Sequence, residues 1–199
     1  GVDESVEQGV SETPVSIDDL VRMVGHLDTY GLGLLTPLFL FAPRPSELGR
    51  ILKADYDPVE GLLQVRNRAR TGYRTKGRVD KTWPVSRALR VSLRPLLMGP
   101  DGPVMLKRRC FEGLERPGLG DASEAGIVRE YERLLENERS RHGKMPSKET
   151  AERLSRRAWA SAGAATRKDV VGELKRGSKL AGLAAAPGPR ECRHLFETL

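Results

Sequence analysis

The sequence closes on PRECRHLFETL, residues 189–199, where Arg190 and Arg193 stand three residues apart on a stretch that reads as a helix start. That spacing puts both guanidinium groups on one helix face. Two planar forks side by side suit the oxygens of a phosphate, so the chemistry within reach is the gripping of a phosphodiester and the stabilisation of charge that builds on it. The bland alternative is a basic helix end standing in water, which is the ordinary fate of surface charge. The choice turns on whether further cations from elsewhere in the chain reach the same place.

No competing metal chemistry is visible. Cys110 and Cys192 are too few and too far apart for a disulfide framework or a ligand cluster, and the three histidines show no ligand spacing with them. No metal or other cofactor is expected, and the cysteine usage fits a reducing, intracellular setting. The 34 Lys and Arg against 27 Asp and Glu leave a net charge of +7, which points to a polyanionic partner such as nucleic acid. Acidic residues cluster early, at Asp3, Glu4, Glu7 and Glu12, so the remainder is more basic than the average.

The elements that must position these cations can be read from periodicity. At 199 residues and 38% hydrophobic content the chain can bury a core of one domain or two small ones. Residues 1–13 are polar and aperiodic, and read as a leader or linker. Ser16 reads as an N-cap, with Asp18 and Asp19 in the first turn and Leu20, Val21, Val24 and Leu27 on one face. The apolar run GLGLLTPLFLFAP, residues 31–43, is shorter than the roughly 20 residues that span a bilayer and contains Pro37, so it reads as a buried helix and no membrane partner is expected.

A third helix is expected over 44–52, strands over 62–69 and 82–86 with a basic, glycine-containing turn between them, and a helix over 86–97 capped by Ser86. Residues 98–122 are rich in Gly and Pro and read as loop with one short strand at VMLKR. Three helical patterns follow. Ile127, Val128, Tyr131, Leu134 and Leu135 mark the first, Ala151, Leu154 and Ala158 the second, and Val170, Val171, Leu174 and Leu183 the third, around 166–184. The expected fold class is α+β, mainly α-helical, with a small antiparallel β-sheet.

Three stretches in one order carry a resemblance to the tyrosine recombinase and phage integrase family. FAPRPSELGRILKADYDP, residues 41–58, resembles the family's Gly-x-Arg-x-Ser-Glu-Leu stretch leading to an Asp-x-Asp turn. Ala42 and Pro43 replace the usual glycine and its neighbour, and Lys53 stands where an aromatic is common. TKGRVDKTWPVS, residues 75–86, is similar to the strand-turn-strand that carries a lysine in its turn, which falls on Lys76, with Lys81 as the competing assignment. PRECRHLFETL is similar to the His-x-x-Arg-His box, with Arg193 at the arginine, His194 after it and Arg190 at the first histidine.

The resemblance implies a catalytic domain over 14–199 with a helical expansion at about 120–186. It also implies a metal-independent reaction on double-stranded DNA. Arg44 and Arg193 would clamp the non-bridging oxygens of the scissile phosphate, and Lys76 would protonate the leaving 5′ oxygen. Arg190 would add charge against phosphate, but arginine cannot exchange a proton near neutral pH, so the general-base role of that position does not transfer. Contacts to DNA backbone are expected from Arg74, Arg78, Lys81 and His194, and more diffusely from Arg66, Arg68, Arg70, Lys168, Lys175 and Lys179.

The family's nucleophile is a tyrosine downstream of the arginine box, whereas Tyr30, Tyr56, Tyr73 and Tyr131 all precede it. The expectation is a catalytic domain that stops short of that tyrosine. A homo-oligomer on DNA, and a cytoplasmic location with nucleoid association, follow from the same resemblance. Two alternatives stay open: a non-catalytic DNA-binding protein of recombinase descent, and a helical binding module with no such ancestry.

Overall fold

The computed structural model describes residues 16–75 and 77–192. Helix α1 (Ile17–Gly25) starts where Ser16 and Asp19 cap each other reciprocally, and its buried row is Leu20, Met23, Val24 and Leu27. Val21, expected on that face, is 66% exposed: Met23 is what completes the 3.6-residue stripe. Helix α2 (Thr29–Phe41) is capped by the Asp28 carboxylate and is apolar on nearly every side, as befits a helix covered all round by α4, α8 and α3.

The third helix is shorter than expected. Helix α3 (Pro45–Leu48) makes one turn and stops at Gly49, where the chain presses against the backbone of Ala165. A 3-10 turn (Lys53–Asp55) then leads to a sheet of three antiparallel strands, β1 (Tyr56–Asp57), β2 (Leu62–Val65) and β3 (Lys81–Pro84). Tyr56, expected in a turn, is therefore on an edge strand, and β2 ends at Val65 because Arg66 and the residues after it turn away toward Asp55. Leu63 faces Trp83 and Val65 faces Lys81 across β2 and β3, and the alternation sends Leu63, Val65 and Trp83 inward. Trp83 stacks on Phe41 of α2 at 5.1 Å.

Helix α4 (Arg87–Leu97) follows, capped by Ser86 as expected. No regular strand forms at 104–108: Leu106 makes an isolated bridge to Ala164, and the chain turns at once into α5 (Arg108–Phe111). Helices α6 (Glu124–His142), α7 (Lys148–Ser161) and α8 (Arg167–Leu180) occupy the three expected stretches. The fold is α+β and mainly helical. One core joins α1, α2, α3, α4, α8 and the inner face of β2 and β3, and a second lies between α6 and α7, with Leu52 and Ala164 at its edge. No helix among the described residues is long and apolar enough to cross a membrane.

Candidate functional site

The segment from Arg44 to Asp55 and the long loop from Arg66 to Asp80 are joined by two buried carboxylates that work the same way. Each accepts from a backbone N–H three residues upstream and from a cation brought in by the second segment or the strand after it. Glu47, only 2% exposed, accepts from the Arg44 N–H at 2.9 Å through Oε2 and from Lys81 Nζ at 2.7 Å through Oε1. Asp55 accepts from the Leu52 N–H at 2.7 Å and from Arg68 Nη2 at 2.5 Å, and Arg66 Nε lies 3.3 Å away. Buried carboxylates need such partners, since an unpaired charge in that position is costly to keep. The result pins the start of α3 to the start of β3.

Between these anchors lies an aromatic and cationic layer. The Arg50 guanidinium sits 4.8 Å from the centre of the Trp159 ring and 5.4 Å from that of Tyr73. It is buried, and its Nη1 makes no hydrogen bond. Burial pushes the Arg50 pKa down to about 9, so it stays a cation at neutral pH, held by two ring faces in place of a carboxylate. The Tyr73 hydroxyl is also buried without a hydrogen bond, and its pKa is raised first by burial and then by Glu47, against the lowering pull of Arg50, Arg44 and Arg68. A phenol in that state is a poor nucleophile.

The loop tip is closed by Thr75, whose hydroxyl donates to the Val79 carbonyl at 2.8 Å and whose carbonyl accepts from the Arg78 N–H at 3.0 Å. Asn67 supports it from below, with its N–H on Asp80 and its side-chain oxygen on the Thr75 N–H. Arg78 is exposed and adopts a left-handed backbone, φ 56°.

The sequence-selected cations are distributed as follows. Arg44 is half-buried at the start of α3 and Lys81 opens β3; Glu47 accepts from the Lys81 ammonium and from the backbone N–H of Arg44. Arg74 and Arg78 are exposed on the loop. Arg190 is exposed on a helical turn over 189–192, which is anchored by Cys192 in the core that also holds Leu48 of α3. Lys76, Arg193 and His194 lie outside the described residues. Arg68, expected among the diffuse DNA contacts, is buried between Asp55 and Glu124 and has no access to a polymer; Arg66 spends charge on the same Asp55.

The sequence assigns no separate role to Glu47 or Asp55, presents Tyr73 only as a tyrosine upstream of the arginine box, and does not single out Arg50. The signal for the carboxylates is an acid three residues after a chain reversal, the spacing by which a side chain reaches back to cap a backbone N–H. Nothing in the sequence flags Arg50, because its partners Tyr73 and Trp159 are set by tertiary packing.

Among the described residues no group of three or more His, Cys, Asp or Glu is placed to hold a metal ion. Both cysteines have raised thiol pKa values from burial, Cys192 to about 12, so neither is an activated nucleophile. Comparison with known proteins finds no matching family model, no matching curated protein and no matching solved structure.

Proposed function

We propose that the chain is the DNA-gripping and catalytic core of a tyrosine-recombinase-like strand transferase, acting on a DNA phosphodiester without a metal. The observation that carries the reading is the Glu47 carboxylate, which accepts from the backbone N–H of Arg44 and from the Lys81 ammonium and so holds the helix start that bears Arg44 against β3. A second detail agrees with it. Ala42, in the slot where the resemblance has glycine, adopts a left-handed backbone, φ 46°, at the end of α2, and left-handed residues are where glycine is favoured.

In this reading Arg44 and Arg193 neutralise the non-bridging oxygens as the phosphorus becomes five-coordinate, and Lys76 gives its proton to the departing 5′ oxygen. The attacking group is a tyrosine hydroxyl, which gives its proton to water and forms a 3′-phosphotyrosyl bond as the P–O5′ bond breaks. None of the tyrosines in this sequence follows Arg193. The test is the full-length gene product incubated with duplex DNA and denatured in detergent. A covalent protein–DNA adduct that disappears in Arg44→Ala supports the reading, and the absence of any adduct when a downstream tyrosine is present removes it.

A second reading is favoured by Arg190, which stands where the family places a proton-exchanging histidine. An arginine there keeps the phosphate grip and loses the base, as in a DNA-binding protein that no longer cuts. Salt-sensitive duplex binding with no adduct from the full-length protein selects it.

A further inference from the structure

Helix α4 divides cleanly. Leu89, Leu93 and Leu96 are buried, and the opposite side presents Arg87, Arg90 and Arg94 with Val91 among them. Those four side chains flank one open stretch of the helix surface. Among the described residues none of the three arginines forms an ion pair, and α4 contains no Asp or Glu. The contrast with α6 is sharp: there Arg129, Arg133 and Arg139 pair with Asp121, Glu130 and Glu136 respectively.

This arrangement is unfavourable to the isolated protein. Arg87 and Arg90 are three residues apart and Arg90 and Arg94 four, the spacings at which like charges on a helix repel. Arg87 also occupies the first turn, where the helix dipole disfavours a cation. Gly61, in the turn between β1 and β2, adopts a left-handed backbone, φ 65°, and the Arg90 guanidinium lies beside it. An anion along the row would relieve both costs at once.

We infer that Arg87, Arg90 and Arg94 form a second contact surface for the backbone of double-stranded DNA, separate from the Arg44 locus. Its naming of DNA rests on the reading above. At 1.5 Å of rise per residue the row runs about 10 Å, and consecutive phosphates of a wound DNA strand stand farther apart than their axial advance of about 3.4 Å, so the long arginine side chains of the row can reach about two or three of them. Guanidinium forks suit those oxygens without reading sequence. Lys81 opens β3 and α4 begins beyond its far end at Pro84, so the two loci are separated by roughly 10 Å of strand.

The test is fluorescence anisotropy of the 199-residue chain on a 30-base-pair duplex of arbitrary sequence, titrated over a range of KCl. Each lost phosphate contact lowers the slope of log K against log salt by about 0.9, so Arg87→Ala/Arg90→Ala/Arg94→Ala should flatten it by about 2 to 3 and weaken binding on the order of 100-fold near 0.1 M salt. Val91→Ala should leave both unchanged. Because the substitutions remove repulsion and install a strong helix former, the triple variant should melt no lower than the parent, and Arg94→Glu provides a single-site version. An unchanged slope in a folded triple variant overturns the inference while leaving the catalytic reading intact. A flattened slope alongside a full-length protein that forms no covalent adduct upholds the row and rejects catalysis. A parent chain with no salt-dependent duplex binding overturns both.

Discussion

Lys81 Nζ lies 2.7 Å from Glu47 Oε1, and the two side chains differ in their access to water: Lys81 is 42% exposed and Glu47 almost fully buried. The pair is therefore asymmetric. Removing the lysine strands a buried carboxylate, whereas removing the acid leaves an ammonium that water can reach and the Arg44 N–H without its acceptor. Lys81→Met is expected to cost about 2 kcal/mol. Glu47→Gln keeps an oxygen for the Arg44 N–H and should cost about 1 kcal/mol. The double variant should lie closer to wild type than Lys81→Met alone. Urea denaturation of the four proteins measures this, and strict additivity would show that the pair carries no coupling.

Two side chains occupy backbone positions that suit glycine. Ala42 at φ 46° ends α2 just before the Arg44 turn, and Arg78 at φ 56° lies in the loop tip. A left-handed conformation costs an L-residue roughly 1–2 kcal/mol, part of which glycine returns in unfolded-state entropy. Ala42→Gly should raise stability by about 0.5–1 kcal/mol. Arg78→Gly should do likewise while weakening DNA binding, because it removes a charge as well as the strain. A thermal melt and a salt titration on the same two variants separate the effects.

The helices were legible from sequence because each carries its own signals. Ser16, Ser86 and the rows through α6, α7 and α8 state their caps and apolar faces locally. The α3 region was not, because a helix-compatible pattern over 44–52 is stopped by a distant contact with Ala165 that no local spacing encodes. The same holds for the site. Lys81 is visible in the sequence as a cation, but its pairing with the buried Glu47, 34 residues away, depends on the fold. Arg68 looked like another exposed arginine of a basic loop, and only the fold turns it inward onto Asp55.

Gly49 and Gly172 should respond to alanine with opposite signs. A Cβ on Gly49 would stand 2.1 Å from the Ala165 carbonyl oxygen, an approach that backbone on both sides must resolve. Gly49→Ala should cost about 2–3 kcal/mol and loosen α3 with it. Gly172, within α8, has nothing within 4 Å of its Cβ position, so Gly172→Ala should stabilise by about 0.5–1 kcal/mol through helix propensity. Melting temperatures moving in the same direction would contradict the packing.

Among the described residues Arg50 is a buried cation with no ion-paired acid, and the cost of keeping it there is offset by the Tyr73 and Trp159 rings. Arg50→Met preserves much of the volume and removes the desolvation cost together with the cation–π attraction. Stability within about 1 kcal/mol of wild type, or above it, is expected. Trp159→Ala deletes a fully buried ring and should cost about 3–5 kcal/mol. A large loss in Arg50→Met, seen by denaturant titration, would mean that the guanidinium makes interactions worth more than two ring faces.

Asp28 links three parts of the molecule: it caps α2 through the Gly31 N–H at 2.8 Å, accepts from Arg108 Nη1 at 2.7 Å, and lies 3.0 Å from Arg176. The hydrogen bond from Arg108 is the main reason its pKa is held at about 2, below the ordinary 3.8. A carboxyl whose folded pKa is depressed adds stability that is fully present above the unfolded value and is lost as pH falls through the folded one. With its side chain 45% exposed, solvent screening reduces the contribution to about 1 kcal/mol. Asp28→Asn retains a good helix cap, so the substitution reads the charge and leaves the start of α2 intact. The variant should be about 1 kcal/mol less stable than wild type at pH 7, with the difference shrinking between about pH 4 and pH 2. Denaturant titrations across that range decide it, since a gap that stays constant throughout would assign the loss to packing and leave the carboxylate's charge without a role.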